Sequence, residues 1–174
     1  MRTFLEVGTC DFRTLNHLSD SGWRGVIVEP VKKYLNNIEQ KPNIQYLNYA
    51  VDVENGTRII NMAPEELVEQ DRDFSGMSSF VNRNFRLSEK LLVNTITFDR
   101  LIEFCDITEL DILKIDTEGY DLILLQNFPF DKIKPKFIQV ECEHIDTDSM
   151  VELLESNGYY VQPTFRDVFA YYVG

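Results

Sequence analysis

The sequence predicts an α/β fold, a three-layer α/β/α sandwich built on a mostly parallel sheet with a C-terminal antiparallel hairpin. Strand and helix patterns alternate along the first fifty residues and again after residue 97, as right-handed crossovers into a parallel sheet require. Two aromatic and β-branched runs, residues 159–161 and 168–173, close the chain and are joined by residues 163–167, which predicts the hairpin.

The first fifty residues contain three runs that predict strands, the first two of them apolar, separated by segments with helical spacing. Each run is short and bounded by glycine, proline or polar residues, which is typical of strands in a buried sheet. The predicted elements are a strand at 3–7, a helix carrying Leu15, Leu18 and Trp23, a strand at 26–28, a helix at 31–40 and a strand at 44–49. This order is typical of a doubly wound, Rossmann-like sheet.

The alternation is interrupted between residues 52 and 97. Asn55 and Gly56 predict a turn before a hairpin strand at 57–62, and residues 75–79 are small and polar. We interpret residues 63–97 as a variable insertion or lid within a single domain of residues 1–174. The alternation then returns with a helix at 98–104, a strand at 112–115, a helix at 120–127, a strand at 137–140 and a helix at 150–156.

Charge and cysteine content restrict the classes of partner. The chain has 17 basic and 29 acidic residues, and its net charge of −12 disfavours duplex nucleic acid and anionic membranes as partners. Cys10, Cys105 and Cys142 have no CxxC spacing, so neither a disulfide framework nor a thiolate zinc site is predicted. With no leader pattern and no membrane-length apolar run, we expect a cytoplasmic protein.

The polar residues that follow the first two predicted strands indicate a nucleoside site. Gly8 lets the backbone approach a ligand closely, and the next helix would present free N–H groups. Glu29 ends the second strand 21 residues after Gly8, close to the spacing at which an acidic residue meets ribose hydroxyls, and Pro30 fixes the turn after it.

Five segments carry a resemblance to a known family: FLEVGTCDF, VIVEP, NYAV, DILKIDTEGYDLILLQNF and FIQVECEH, in this order. The chain resembles the FkbM family of methyltransferases over most of its length. The resemblance implies a class I S-adenosylmethionine site, with the Gly8 loop near the methionine portion, Glu29 on the ribose, and Ala50 and Val51 near the adenine. The full set of expected cofactor residues is Glu6, Gly8, Thr9, Cys10, Asp11, Glu29, Pro30, Ala50, Val51 and Asp116.

Acidic residues after two later strands are the candidates for catalysis. Because methyl transfer is an in-line displacement, the enzyme must align the acceptor and remove a proton from a hydroxyl. We predict that Asp116 positions the cofactor or acceptor, and that Glu118, Glu141 or His144 is the base. This cluster has oxygen ligands suited to Mg²⁺ or Ca²⁺ but no metal-binding spacing signature, so no metal is predicted.

Two functions remain open at this stage. The resemblance implies an O-methyltransferase acting on a saccharide or another small hydroxylated acceptor. A catalytically inactive binding or regulatory module is the alternative, since Cys10 and Phe12 stand where most of the family has Asn and a second Gly. A nicotinamide oxidoreductase is disfavoured by the missing glycines and the final hairpin. The cofactor cover could come from residues 63–90, from a second subunit of a homo-oligomer or from a neighbouring protein.

Overall fold

The computed structural model describes residues 2–11, 14–81, 86–143 and 145–174. In chain order the strands are β1 (Thr3–Val7), β2 (Arg24–Val28), β3 (Ile44–Leu47), β4 (Ala50–Val51), β5 (Gly56–Met62), β6 (Glu89–Ile96), β7 (Ile112–Ile115), β8 (Phe137–Glu141), β9 (Tyr159–Pro163) and β10 (Asp167–Tyr172). The α-helices are α1 (Lys32–Asn37), α2 (Glu65–Gln70), α3 (Asp73–Gly76), α4 (Phe98–Phe104), α5 (Asp121–Gln126) and α6 (Thr147–Ser156). Residues Leu15–Ser21 form a 3₁₀ helix.

The central sheet has seven strands in the order β3-β2-β1-β7-β8-β10-β9. The first five of these strands pair in parallel, and β10 is antiparallel to both of its neighbours. The strand order reverses between β1 and β7, so the polar loops that follow these strands flank the crevice where such sheets bind ligands. The predicted Rossmann-like fold with a C-terminal hairpin is confirmed.

Helices pack on both faces of the sheet. One face packs against α4, α5 and α6, where Leu101, Leu125 and Leu154 are fully buried. On the other face, Phe4 and Ile27 form a smaller core with residues of α1 and the 3₁₀ helix. Burying both faces explains why the central strands are mainly apolar in the sequence.

The predicted insertion forms part of a second, three-stranded sheet with the order β4-β6-β5. The hairpin strand predicted at 57–62 is confirmed as β5. Strand β6 pairs with every residue of β5 in antiparallel register. Strand β6 was not predicted, because its first four residues are all exposed and give no alternating pattern. Residues 63–97 therefore comprise two short helices and a strand, around the segment 82–85 that lies outside the described residues.

Several predicted helices differ from the structure in type or length: 120–127 spans Asp121–Gln126, 150–156 spans Thr147–Ser156, and two others differ more. The segment carrying Leu15 and Leu18 is a 3₁₀ helix that ends at Gly22, whose φ of +79° stops it. The helix predicted at 31–40 spans only Lys32–Asn37, because Ile38 turns extended and buries its side chain in the smaller core.

Within the described residues, no helix combines the length and apolar character needed to cross a bilayer.

Candidate active site

Two adjoining cavities lie at the carboxyl ends of the parallel strands. The first is narrow, about 50 Å³, and the second is larger, about 690 Å³. Both cavities are lined by Gly8, Cys10, Gly76, Ser79 and Asp116, so the loop after β1, the end of β7 and the segment around residues 76–79 lie between them. The predicted cofactor residues on the first cavity are Gly8, Cys10, Glu29, Pro30, Ala50, Val51 and Asp116.

Gly8, the first residue after β1, packs directly against the backbone of Asp116 at the end of β7. Its φ is +78°, and a Cβ at this position would lie 1.9 Å from the backbone carbonyl oxygen of Asp116. Its N–H donates to the carbonyl of Val28 at 3.0 Å. Only glycine fits here, since both the backbone conformation and the close approach exclude a side chain.

Glu29 forms a buried carboxylate on the wall of the first cavity. One oxygen accepts from the N–H of Cys10 and the other from the N–H of Val31, both at 2.8 Å. Burial disfavours the charged form more than these donors favour it, and raises the pKa of Glu29 to about 7. Each oxygen retains acceptor capacity, so the group can take two further hydroxyl donors.

The segment 72–80 forms a roof over the first cavity. Arg72 pairs with Asp11 at 2.9 Å, and the Cys10 thiol lies 3.4 Å from Ser75 Oγ. Ser79 donates to the carbonyls of Thr117 and Glu118, which fastens the other end of the roof to the loop after β7. The predicted lid thus includes a roof that is attached to both loops of the crevice.

The loop after β1 differs in detail from the prediction. Asp11 lines neither cavity; it pairs with Arg72 and accepts from Asn37, so it anchors the roof instead of contacting the cavity. Thr9 lines only the second cavity. Burial raises the pKa of the Cys10 thiol to about 12, so Cys10 is a neutral side chain in this loop. Phe12 lies outside the described residues.

The placement of Glu6 corrects its expected role at the cofactor. Its side chain is fully buried and lines neither cavity. It accepts from Lys114 Nζ at 2.8 Å, from Thr14 Oγ1 at 2.7 Å and from the N–H of Leu15 at 2.7 Å. Glu6 therefore joins β1, β7 and the start of the 3₁₀ helix, which is a structural role. The partner, Lys114, is 108 residues away and could not be identified from the sequence.

Three of the four candidate catalytic residues meet in the second cavity. Asp116, Glu118 and Glu141 offer oxygens that all lie within 4.8 Å of one another. Glu118 reaches this cluster because its φ of +55° breaks the extended chain after β7. The fourth candidate, His144, lies outside the described residues.

Two carboxyl groups of this cluster, those of Glu118 and Glu141, have raised pKa values. Burial, and then repulsion by neighbouring acids, raises the pKa of Glu118 to about 7 and that of Glu141 to about 9. Oε2 of Glu141 is buried and has no hydrogen-bond partner among the described residues. The cluster can hold protons or a divalent cation, and the expected absence of a metal stays a prediction.

Several residues of the first cavity were not predicted from the sequence. Tyr49, Ile60, Phe80, Thr117 and Tyr120 line it. Tyr49, Thr117 and Tyr120 lie in segments that carry the family resemblance but were assigned no role, whereas no motif marks Ile60 and Phe80. Ser75, Gly76, Ser78 and Ser79 also line it, and only their small polar character had indicated a covering segment.

A model of the FkbM methyltransferase domain matches residues 6–161 of the chain, a range that includes every residue named on the first cavity. The chain belongs to the FkbM methyltransferase family. The FkbM domain is also similar to a solved structure from the fibrillarin/Nop5p complex, with a TM-score of 0.51 and 13% identity, over 99% of this chain and 73% of that one. At that identity the similarity supports the fold alone. A comparison with curated proteins found no match.

Proposed function

We propose that the FkbM domain is an S-adenosylmethionine-dependent O-methyltransferase that acts on a saccharide or another small hydroxylated acceptor. The observation that carries the proposal is the buried carboxylate of Glu29, 4% exposed, on a cavity that opens beside a carboxylate-lined one. Paired oxygens on a cavity wall suit a ribose diol, because each oxygen can accept one hydroxyl.

The residues of the first cavity fit the cofactor in kind and in order. Glu29 would hold the ribose, Ala50 and Val51 would contact the adenine, and the Gly8 loop would approach the methionine portion. When bound, the cofactor supplies an electrophilic methyl group. Because the roof leaves only about 50 Å³ of space, we expect binding to displace its small residues, 75–79.

The second cavity is suited to a polar acceptor. Its volume of about 690 Å³ exceeds that of the first cavity, and its wall is rich in hydrogen-bonding groups. The polar residues on this wall include Lys114, Asp116, Glu118, Gln139, Glu141 and Arg166. Asp116 borders both cavities and is our candidate for orienting the acceptor hydroxyl.

Among the candidate bases, Glu118 fits the reaction best. A base works most effectively when its pKa is near the operating pH, and the pKa of Glu118 is raised to about 7. The pKa of Glu141 is raised to about 9, so this group carries a proton at neutral pH and can donate a hydrogen bond to the acceptor. We assign proton removal to Glu118 and positioning to Glu141.

The alternative function is a binding module without turnover, and the Cys10 loop favours it. Cys10 adopts a φ of +50° and directs its thiol to the roof serine Ser75. Calorimetric titration with S-adenosylhomocysteine, followed by transfer of a labelled methyl group to a panel of acceptors, separates the two functions. Binding with transfer supports the enzyme, binding without transfer across the panel supports the module, and no binding contradicts both.

We also propose that the acceptor is not a nucleic acid. The net charge of −12 disfavours nucleic acid as the acceptor. A cytoplasmic location, assembly as a homo-oligomer and a single domain are likewise carried forward as predictions.

A further inference from the structure

We propose that Arg58 is a positioning residue that holds an aromatic wall for the purine ring of the cofactor. The wall consists of Phe80 and Tyr120, which both line the first cavity. Arg58 itself is not on the cavity and would act through these two rings. The inference rests on the proposed cofactor, and it assigns to the second sheet a role in recognising the nucleobase.

The two rings come from separate parts of the chain and meet at the cavity. Phe80 ends the roof, and Tyr120 precedes α5. Their ring centroids are 5.2 Å apart and their planes are inclined by 85°, an edge-to-face arrangement. Ala50, Val51 and Ile60 complete this part of the cavity with apolar surface, which suits the flat face of a purine.

Arg58 is the group that joins the two rings. Its guanidinium carbon lies 4.2 Å from the centroid of Phe80 and 5.0 Å from that of Tyr120. Both distances are within the range of cation–π attraction. Strand β5 alternates its side chains, so Arg58 shares a face with Ile60, which is buried on the cavity wall.

The orientation of Arg58 is fixed by a buried acid, Asp52. Nη1 of Arg58 donates to both Asp52 oxygens, at 3.0 and 3.1 Å, and lies 3.0 Å from the hydroxyl of Tyr120. That hydroxyl donates to Asp52 Oδ1 at 2.7 Å. Asp52, Arg58 and Tyr120 thus form a closed network that links the residue after β4, strand β5 and the start of α5.

The network restrains the part of the roof that carries Phe80. The backbone of this part of the roof is also held by Asn61, whose main chain pairs with Ser79 and whose Nδ2 donates to the carbonyls of Ser79 and Phe80. These bonds hold the main chain, whereas the guanidinium of Arg58 contacts the ring itself. Without the guanidinium, Phe80 would lose its cation–π contact and Tyr120 one of its two hydroxyl partners. We therefore expect both rings to lose their fixed orientation toward the purine.

The test compares two ligands that differ in the base. S-adenosylhomocysteine carries the purine, whereas S-ribosylhomocysteine lacks it and keeps the ribose and amino-acid portions. Affinities are measured by calorimetry for the wild type, Arg58→Met and Arg58→Lys. We expect Arg58→Met to weaken S-adenosylhomocysteine binding about tenfold, equivalent to about 1.4 kcal/mol, and to leave S-ribosylhomocysteine binding within about twofold. Arg58→Lys should lose less, because it keeps the charge beside Asp52.

The control is Arg100→Met, which removes an exposed arginine paired with Glu103 on α4, away from both cavities. It should bind both ligands as the wild type does. If Arg58→Met weakens the binding of both ligands equally, Arg58 has a general structural role and the inference is overturned. The inference is also overturned if Arg58→Met binds S-adenosylhomocysteine as tightly as the wild type does. If the wild type binds neither ligand, the proposed cofactor itself fails and the inference falls with it.

Discussion

Replacing Glu29 by Gln should weaken the binding of S-adenosylhomocysteine and remove its dependence on pH. The carboxylate offers the ribose two charge-assisted acceptors, whereas Gln offers one neutral acceptor and an amide that cannot accept. The difference is about 1.5 to 3 kcal/mol, or roughly 10- to 100-fold in affinity. The amide would also face the N–H of Cys10 or Val31, so the free energy of unfolding should fall by about 1 to 3 kcal/mol.

The pH dependence follows from the raised pKa of Glu29, about 7 in the free domain. Ribose hydroxyls bind the ionised form better, so affinity approaches its full value about one pH unit or more above 7 and declines as the pH falls through 7. Roughly one-eleventh of the groups are ionised at pH 6 and ten-elevenths at pH 8, which predicts about tenfold weaker binding at pH 6.

The assay is calorimetric titration of wild type and Glu29→Gln at both pH values, with chemical denaturation to check folding. Glu103→Gln makes the same chemical change at a carboxylate whose side chain is 72% exposed, and should behave as the wild type. A folded Glu29→Gln variant that binds within twofold of the wild type at pH 8 would refute the ribose assignment. Equal wild-type affinity at pH 6 and pH 8 would refute the ionisation argument.

Two further predictions concern the crevice and the base. Gly8→Ala should lower the free energy of unfolding by at least about 3 kcal/mol, because left-handed strain adds to overlap with a backbone carbonyl. Gly22→Ala has the same strain, at a φ of +79°, but open space around it, and should cost about 1 to 2 kcal/mol; similar losses in urea denaturation would contradict this account. Methyl transfer should increase with pH through about 7 as Glu118 loses its proton, and Glu118→Gln should lower kcat about 100-fold. Glu141→Gln imitates the protonated acid and should keep most of the methyl-transfer activity at neutral pH. If Glu141→Gln lowers kcat more than Glu118→Gln does, then Glu141 is the base and Glu118 the positioning residue.

The central sheet was predictable from the sequence because its strands are buried on both faces. Residues 3–7 and 112–115 are mainly apolar runs, and the structure has strands with these bounds. Strand β6 was missed because one end of it is exposed, and β4 because it has only two residues. Local pattern predicts elements whose environment is uniform, and fails where neighbours distant in sequence determine burial.

The candidate site was predictable in part, for the same physical reason. The end of a parallel strand places a residue at the crevice whatever the rest of the chain does, and this located Glu29 and Asp116 on the first cavity. Glu6 was misassigned because its partner Lys114 comes from a distant strand. Arg58 lies in the predicted hairpin strand and Phe80 in the predicted insertion, and only the tertiary structure reveals their contact.

The most direct test of the central claim is a crystal structure of the domain with S-adenosylhomocysteine at pH 8. We predict that both ribose hydroxyls lie about 2.7 to 3.0 Å from the carboxylate oxygens of Glu29, with the purine beside Phe80 and Tyr120 and residues 75–79 displaced. The sulfur should lie next to Asp116, where the two cavities meet. A ligand bound elsewhere, or a ribose without contact to Glu29, would contradict the account.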